Sequence, residues 1–94
     1  MNADECLTTA YDEGSDVMYI TRGNAAAYRG VEDQNGIVWR YGVNGELVGA
    51  TVLDFRGVWG NRRAKIAKEI SARFGVPQAM LGQAVSEALT HAAI

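Results

Sequence analysis

The chain has ninety-four residues, 48% apolar and 21% charged, with a net charge of −2: enough for one small domain with a single core. No apolar run approaches the ~18 residues that cross a bilayer, which excludes a membrane-spanning helix. The single cysteine, Cys6, excludes an internal disulfide and suits a reducing cytosol. The acidic, polar start MNADECLTTA lacks the basic flank and apolar centre of a secretory signal, so the expectation is a soluble, cytoplasmic protein.

In chain order, residues 1–4 are expected to fray. A strand at about 6–11 (CLTTAY) meets the turn Asp12-Glu13-Gly14-Ser15 and returns as a strand at about 16–22. This pairs Tyr11 with Asp16, Thr9 with Met18 and Leu7 with Ile20. Leu7, Tyr11, Met18 and Ile20 then share the core face, and Thr8, Val17 and Tyr19 the other. Gly23-Asn24 signals a turn, and a third strand near 27–32 is interrupted by Gly30, which suggests a bulged edge. After the turn at 33–36, the stretch GIVWRYGVNGELVGATVLD (36–54) predicts a hairpin around a two-residue type I′ turn at Asn44-Gly45. That register sets Ile37 opposite Val52, Trp39 opposite Ala50 and Tyr41 opposite Val48. The opposite face receives Val38, Arg40, Gly49 and Thr51.

The composition changes at Asp54. FRGVWG, with two glycines and two aromatics, reads as a connection over 56–60, and Asn61 as an N-cap. Ile66, Ile70 and Phe74 then form one helical stripe, ended by Gly75 as the C′ residue. Pro77 opens a second helix at N1, with Met80, Leu81, Ala84, Val85, Ala88 and Leu89 on its apolar side. The predicted fold is α+β, a single domain over 1–94: an antiparallel β-meander of four to five strands (1–55), then a helical pair (61–92) packed on one face.

Catalytic chemistry finds little in this sequence. The one histidine, His91, and the one cysteine, Cys6, lie at opposite ends of the chain. Metal ligation needs several His or Cys at set spacings, and they are absent. Asp12, Glu13 and Asp16 lack the spacing of a calcium loop and read as turn residues. The glycines at 42, 45 and 49 lie in a hairpin, not between a strand and a helix, and form no phosphate cradle. No catalytic residue, cofactor site, metal site or small-molecule substrate is inferred.

Two binding surfaces remain. The back of the sheet carries Val17, Tyr19, Val38, Arg40 and Thr51, a mixed face suited to a protein partner or a second copy. Trp59 belongs with it if exposed, and with the core if buried. The second surface rests on charge. Residues 1–55 hold nine acids and three bases, residues 56–94 two acids and six bases, so the halves carry −6 and +4. A basic back half indicates either a solvated helix, attraction between the halves, or a nucleic-acid contact.

Residues 66–85 resemble the bacterial helix-turn-helix pattern, with apolar residues at Ile70, Phe74, Val76, Leu81 and Ala84, a small residue at Ser71 and the turn glycine Gly75. The resemblance implies recognition by residues 77–89. Gln78, Gln83 and Ser86 would read bases, and Arg62, Arg63, Lys65 and Lys68 would contact phosphates. That helix has no Lys or Arg and carries Glu87.

A wider resemblance covers about half the chain. YDEGSDVMYI (11–20) and NGELVGATVLDF (44–55) look like a family of short bacterial proteins known as domain of unknown function twenty-two eighty-three. Tyr11, Asp12, Asp16, Tyr19, Ile20, Gly45, Val48, Gly49, Val52, Leu53 and Asp54 carry the match. The resemblance implies a small β-meander without an established activity, and an antitoxin-type role through family members encoded beside toxin-like genes. The expected function is therefore that of a non-enzymatic protein-interaction module, with a small DNA-binding regulator using residues 61–89 as the alternative.

Overall fold

A computed structural model describes residues 7–23 and 26–92, with the backbone alone for 91 and 92. The expected fraying of residues 1–4, the strand start at Cys6, Asn24 of the predicted turn and the side chain of His91 lie outside the described residues.

Five antiparallel strands form one sheet: β1 (Leu7–Asp12), β2 (Val17–Arg22), β3 (Arg29–Glu32), β4 (Ile37–Tyr41) and β5 (Leu47–Val52). Two helices follow, α1 (Phe55–Phe74) and α2 (Gln78–Ala92). The fold is α+β, as the patterning predicts. The strand order is β1-β2-β5-β4-β3. Residues 29–52 run as a meander, and β5 closes the sheet by lying against β2, so β1 and β3 are the two edges.

The first hairpin keeps the expected faces but shifts its register by two. Asp12 faces Val17, Tyr11 faces Met18 and Leu7 faces Arg22. The four-residue loop is Glu13-Gly14-Ser15-Asp16, with Asp16 in the left-handed region at φ 59°. A shift of two leaves each side chain on its face, because the strand period is two. Gly30 is regularly paired with Arg40, so β3 is an edge without the expected bulge.

The bulge lies in β5. Ile37 faces Val52 and Trp39 faces Ala50, but Tyr41 faces Leu47 while Arg40 faces Gly49, leaving Val48 as the extra residue. The reason is the turn. Gly45 N–H bonds to Gly42 C=O at 3.0 Å, and of the turn residues only Gly45, at φ 83°, has positive φ. A type I′ turn needs positive φ at both central residues; this loop is one residue longer and closes through a glycine bulge. Leu47, not Val48, therefore packs with Tyr41 against the core, and Val48 is buried outside that cluster.

The predicted connection at 56–60 is helical. Phe55, Val58 and Trp59 are all buried, at the i, i+3, i+4 spacing of a helix face. Gly57 and Gly60 look onto open space, so they weaken the helix without breaking it. Asn61 is not an N-cap. The interruption falls at Arg62 (φ −135°, ψ 35°), where α1 kinks. Gly75 ends α1 at φ 72°, its N–H bonding back to Ala72 and Ser71, as expected. Pro77 stands one residue before α2, its C=O accepting from Met80 and Leu81.

One core fills the space between sheet and helices. Met18, Ile20, Ile37, Trp39, Ala50 and Val52 face Phe55, Trp59, Ile66, Ile70, Phe74, Leu81 and Val85. Trp59 is buried and stacks on Phe55, ring centroids 5.4 Å apart, so it is a core residue. α2 lies over β1, and α1 over β5.

Candidate functional site: the open face of the sheet

Both helices cover one face, and among the described residues no element covers the other. Strand register arranges that open face into two rows across all five strands. One row runs Ala10, Tyr19, Thr51, Val38, Glu32, and the next runs Thr8, Thr21, Gly49, Arg40, Gly30. Five strands at about 4.8 Å spacing span roughly 19 Å.

Arg40 organises the middle of this surface. Its Nε donates to Thr51 Oγ1 at 2.7 Å. A Cβ added at Gly49 would sit 3.8 Å from Arg40 Cβ, and one at Gly30 only 2.9 Å from Val38 Cγ1. The two glycines thus leave room for the Arg40 and Val38 side chains to lie against the sheet. Among the described residues Arg40 has no carboxylate partner; the ion pairs there are Arg56–Glu13 and Arg73–Glu69.

The predicted surface residues take different roles. Tyr19 is 40% exposed and central, and Val38 and Arg40 are half-buried beside it. Thr51 is buried, so it positions Arg40 and presents no contact of its own. Val17 lies beyond the two rows, opposite Asp12. Sequence reasoning missed Tyr28, whose N–H bonds to Tyr41 C=O and whose side chain is 74% exposed. The usable signal was a tyrosine flanking the edge strand next to Gly30. It also missed Glu32, because only the pairing of β3 with β4 places it beside Val38.

The residues of the alternative are brought together in part: Arg63 and Ser86 border one depression. Arg62, Arg63, Lys65 and Lys68 are exposed, and none takes part in an ion pair among the described residues. Arg62 Nη1 donates to Asn35 Oδ1, and the Arg63 guanidinium lies 6.0 Å from the centre of the Trp59 ring. Gln78, Gln83 and Ser86 are exposed on α2. Gln83 borders a depression with Leu7, Met80 and Glu87, while Ser86 borders another with Trp59 and Arg63.

Among the described residues no group of three or more His, Cys, Asp and Glu side chains is placed to hold a metal ion. No helix there is long and apolar enough to cross a membrane. The acidic first turn is structural. Hydrogen bonding from the Ser15 side chain, then from the N–H groups of Ser15 and Gly14 to Oδ1, lowers the Asp12 pKa. Asp16 accepts the Tyr11 hydroxyl and the N–H of Arg56 at the start of α1. Burial, then the Asp16 hydrogen bond, raises the Tyr11 pKa.

No curated protein and no solved structure matches the chain. The family model described as Protein of unknown function (DUF2283) matches residues 9–56. Its bounds take in the first hairpin from Thr9, Asp16, the open face from Ala10 onward and the first two residues of α1, and the chain belongs to that family.

Proposed function

We propose that this chain is a non-enzymatic protein-interaction module that engages its partner through the open face of the sheet. One observation carries the reading: two rows across the sheet that present Tyr19 and an Arg40 that is held in place and has no carboxylate partner among the described residues. Tyrosine and arginine supply much of the energy at protein contacts, because each combines a large apolar area with directional polar groups. The glycines at 30 and 49 keep the surface low around them. The partner is a second copy or a protein that this one neutralises. The antitoxin form of the reading draws on the family resemblance, and a cytoplasmic setting on the single cysteine.

The test is sedimentation over a concentration series combined with tagged capture from the native cell lysate, with and without nuclease. Tyr19→Ala and Arg40→Ala are expected to weaken self-association or recovery of one stoichiometric protein by about tenfold while leaving the fold intact. Unchanged association and capture in both variants would remove the sheet face from the reading.

Arg62, Arg63, Lys65 and Lys68, exposed and in no ion pair among the described residues, favour a second reading as a DNA-binding regulator. In the same experiment it predicts recovery of nucleic acid, with affinity falling steeply with salt and lost when Arg62 and Arg63 are changed to alanine.

A further inference from the structure

The two edges of the sheet differ. β3 is four residues long and carries Arg29, Gly30 and Glu32, which discourage pairing. β1 is six residues long, LTTAYD, with no proline, lysine or bulge, and its only charge is Asp12 at the end. Among the described residues nothing pairs with its outer side. A groove of about 490 Å³ lies there, lined by five consecutive residues, Leu7 to Tyr11, with Glu87 and Ala88 of α2. Side chains of consecutive strand residues point to opposite faces, so a cavity lined by all five follows the edge of the strand and not one face. Thr9 Oγ1 donates to Ala84 C=O at 2.8 Å, which ties α2 to the strand and holds the wall in place. Beside the groove, a depression of about 210 Å³ is floored by Leu7, Met80 and Ala84 and bordered by Glu87.

The charge selects the occupant. Glu87 borders both cavities and has no ion-pair partner among the described residues. A second copy joined antiparallel through β1, about a two-fold axis normal to the sheet, would bring both α2 helices to one side and set Glu87 toward Glu87. Like charges across a join disfavour it.

We propose that the outer edge of β1 accepts an extended segment of another protein as a sixth strand. Main-chain hydrogen bonds to residues 7–11 hold it. A Lys or Arg side chain of the segment faces Glu87. An aliphatic side chain two residues away, on the same side of the added strand, fills the depression over Leu7, Met80 and Ala84. This surface meets the open face only at Thr8 and Ala10, the β1 ends of its two rows, and uses neither Tyr19 nor Arg40, so either reading stands if the other fails.

The probe is a display library of random peptides of about ten residues, selected on the full chain. The expected result is enrichment of a basic and an aliphatic residue two positions apart, in peptides that slow hydrogen exchange of the amides in residues 7–12. Glu87→Lys, on an exposed helix position, is expected to lower their affinity about tenfold with the melting temperature unchanged. Selection repeated on that variant should place Asp or Glu where the basic residue stood. Glu87→Gln should give an intermediate loss. Failure to enrich any peptide, protection elsewhere than β1, unaltered affinity in Glu87→Lys, or concentration-dependent protection of β1 by a second copy would each overturn the proposal.

Discussion

Asp16 shows how one side chain links two halves of the molecule. Asp54, next to the helix, sits at φ 49° and makes no side-chain cap bond. The cap comes from the first hairpin instead. Asp16 accepts Arg56 N–H at 3.1 Å and the Tyr11 hydroxyl at 2.5 Å, and its C=O accepts Phe55 N–H. Its carboxylate also faces the positive end of the helix. Asp16→Ala is expected to cost about 2 kcal/mol in urea denaturation, through the lost cap and the left-handed backbone alanine resists. Asp16→Asn, which tolerates that backbone and keeps one acceptor, should cost least, with Asp16→Gly between them. The aspartate was legible in the sequence as a turn residue. Its capping role was not, because the acceptor and the helix it serves are 40 residues apart.

At the scale of elements, the glycines separate into two kinds. A Cβ at Gly49 would meet the Ile20 carbonyl oxygen at 3.0 Å, and backbone yields little. Gly49→Ala is expected to destabilise by about 1–3 kcal/mol. Gly82 lies inside α2 with nothing within 4 Å of its Cβ position. Gly82→Ala should stabilise by about 1 kcal/mol, a melting temperature about 4–8 °C higher in a calorimetric scan. The hydrophobic stripes of α2 and of residues 66–74, and the facing of β1, β2 and β4, were readable from period alone. The helical nature of residues 55–60 was not, since two solvent-side glycines masked the spacing of Phe55, Val58 and Trp59. The turn at Asn44-Gly45 was located correctly and mistyped, and one added residue was enough to exchange Val48 for Leu47 beside Tyr41.

At the scale of the whole molecule, Asp33 joins the meander to α1. Its carboxylate accepts from Trp39 Nε1 at 2.9 Å and from the N–H groups of Asn35 and Ile37, while the Arg73 guanidinium lies 4.3 Å from the centre of the Trp39 ring. Burial pushes this carboxyl up, but the three hydrogen bonds and the Arg73 charge outweigh it and hold the pKa below the usual carboxylate value. A carboxylate lowered in the folded state adds stability above its unfolded pKa, about 3.9, and that stability is lost as pH falls through the folded value. Urea midpoints should therefore drop below about pH 4, and Asp33→Asn should flatten that slope and cost about 2 kcal/mol at neutral pH. The charged halves contribute little here. Of the two ion pairs among the described residues only Arg56–Glu13 joins them, and both its side chains are more than half exposed.

Apolar period, turn residues and helix stops are local properties, and they were sufficient to specify an α+β chain, most of its core and the family motif. Which strand lies beside which is a long-range matter. The pairing of β2 with β5 joins segments about 30 residues apart, and no local pattern encodes it. That pairing decides that Tyr19 neighbours Thr51 and leaves β1 at an edge. Packing of α2 over that edge then creates the groove beside Glu87. The two proposed surfaces belong to the tertiary structure for this reason: each is built from residues that only non-local pairing and burial bring together.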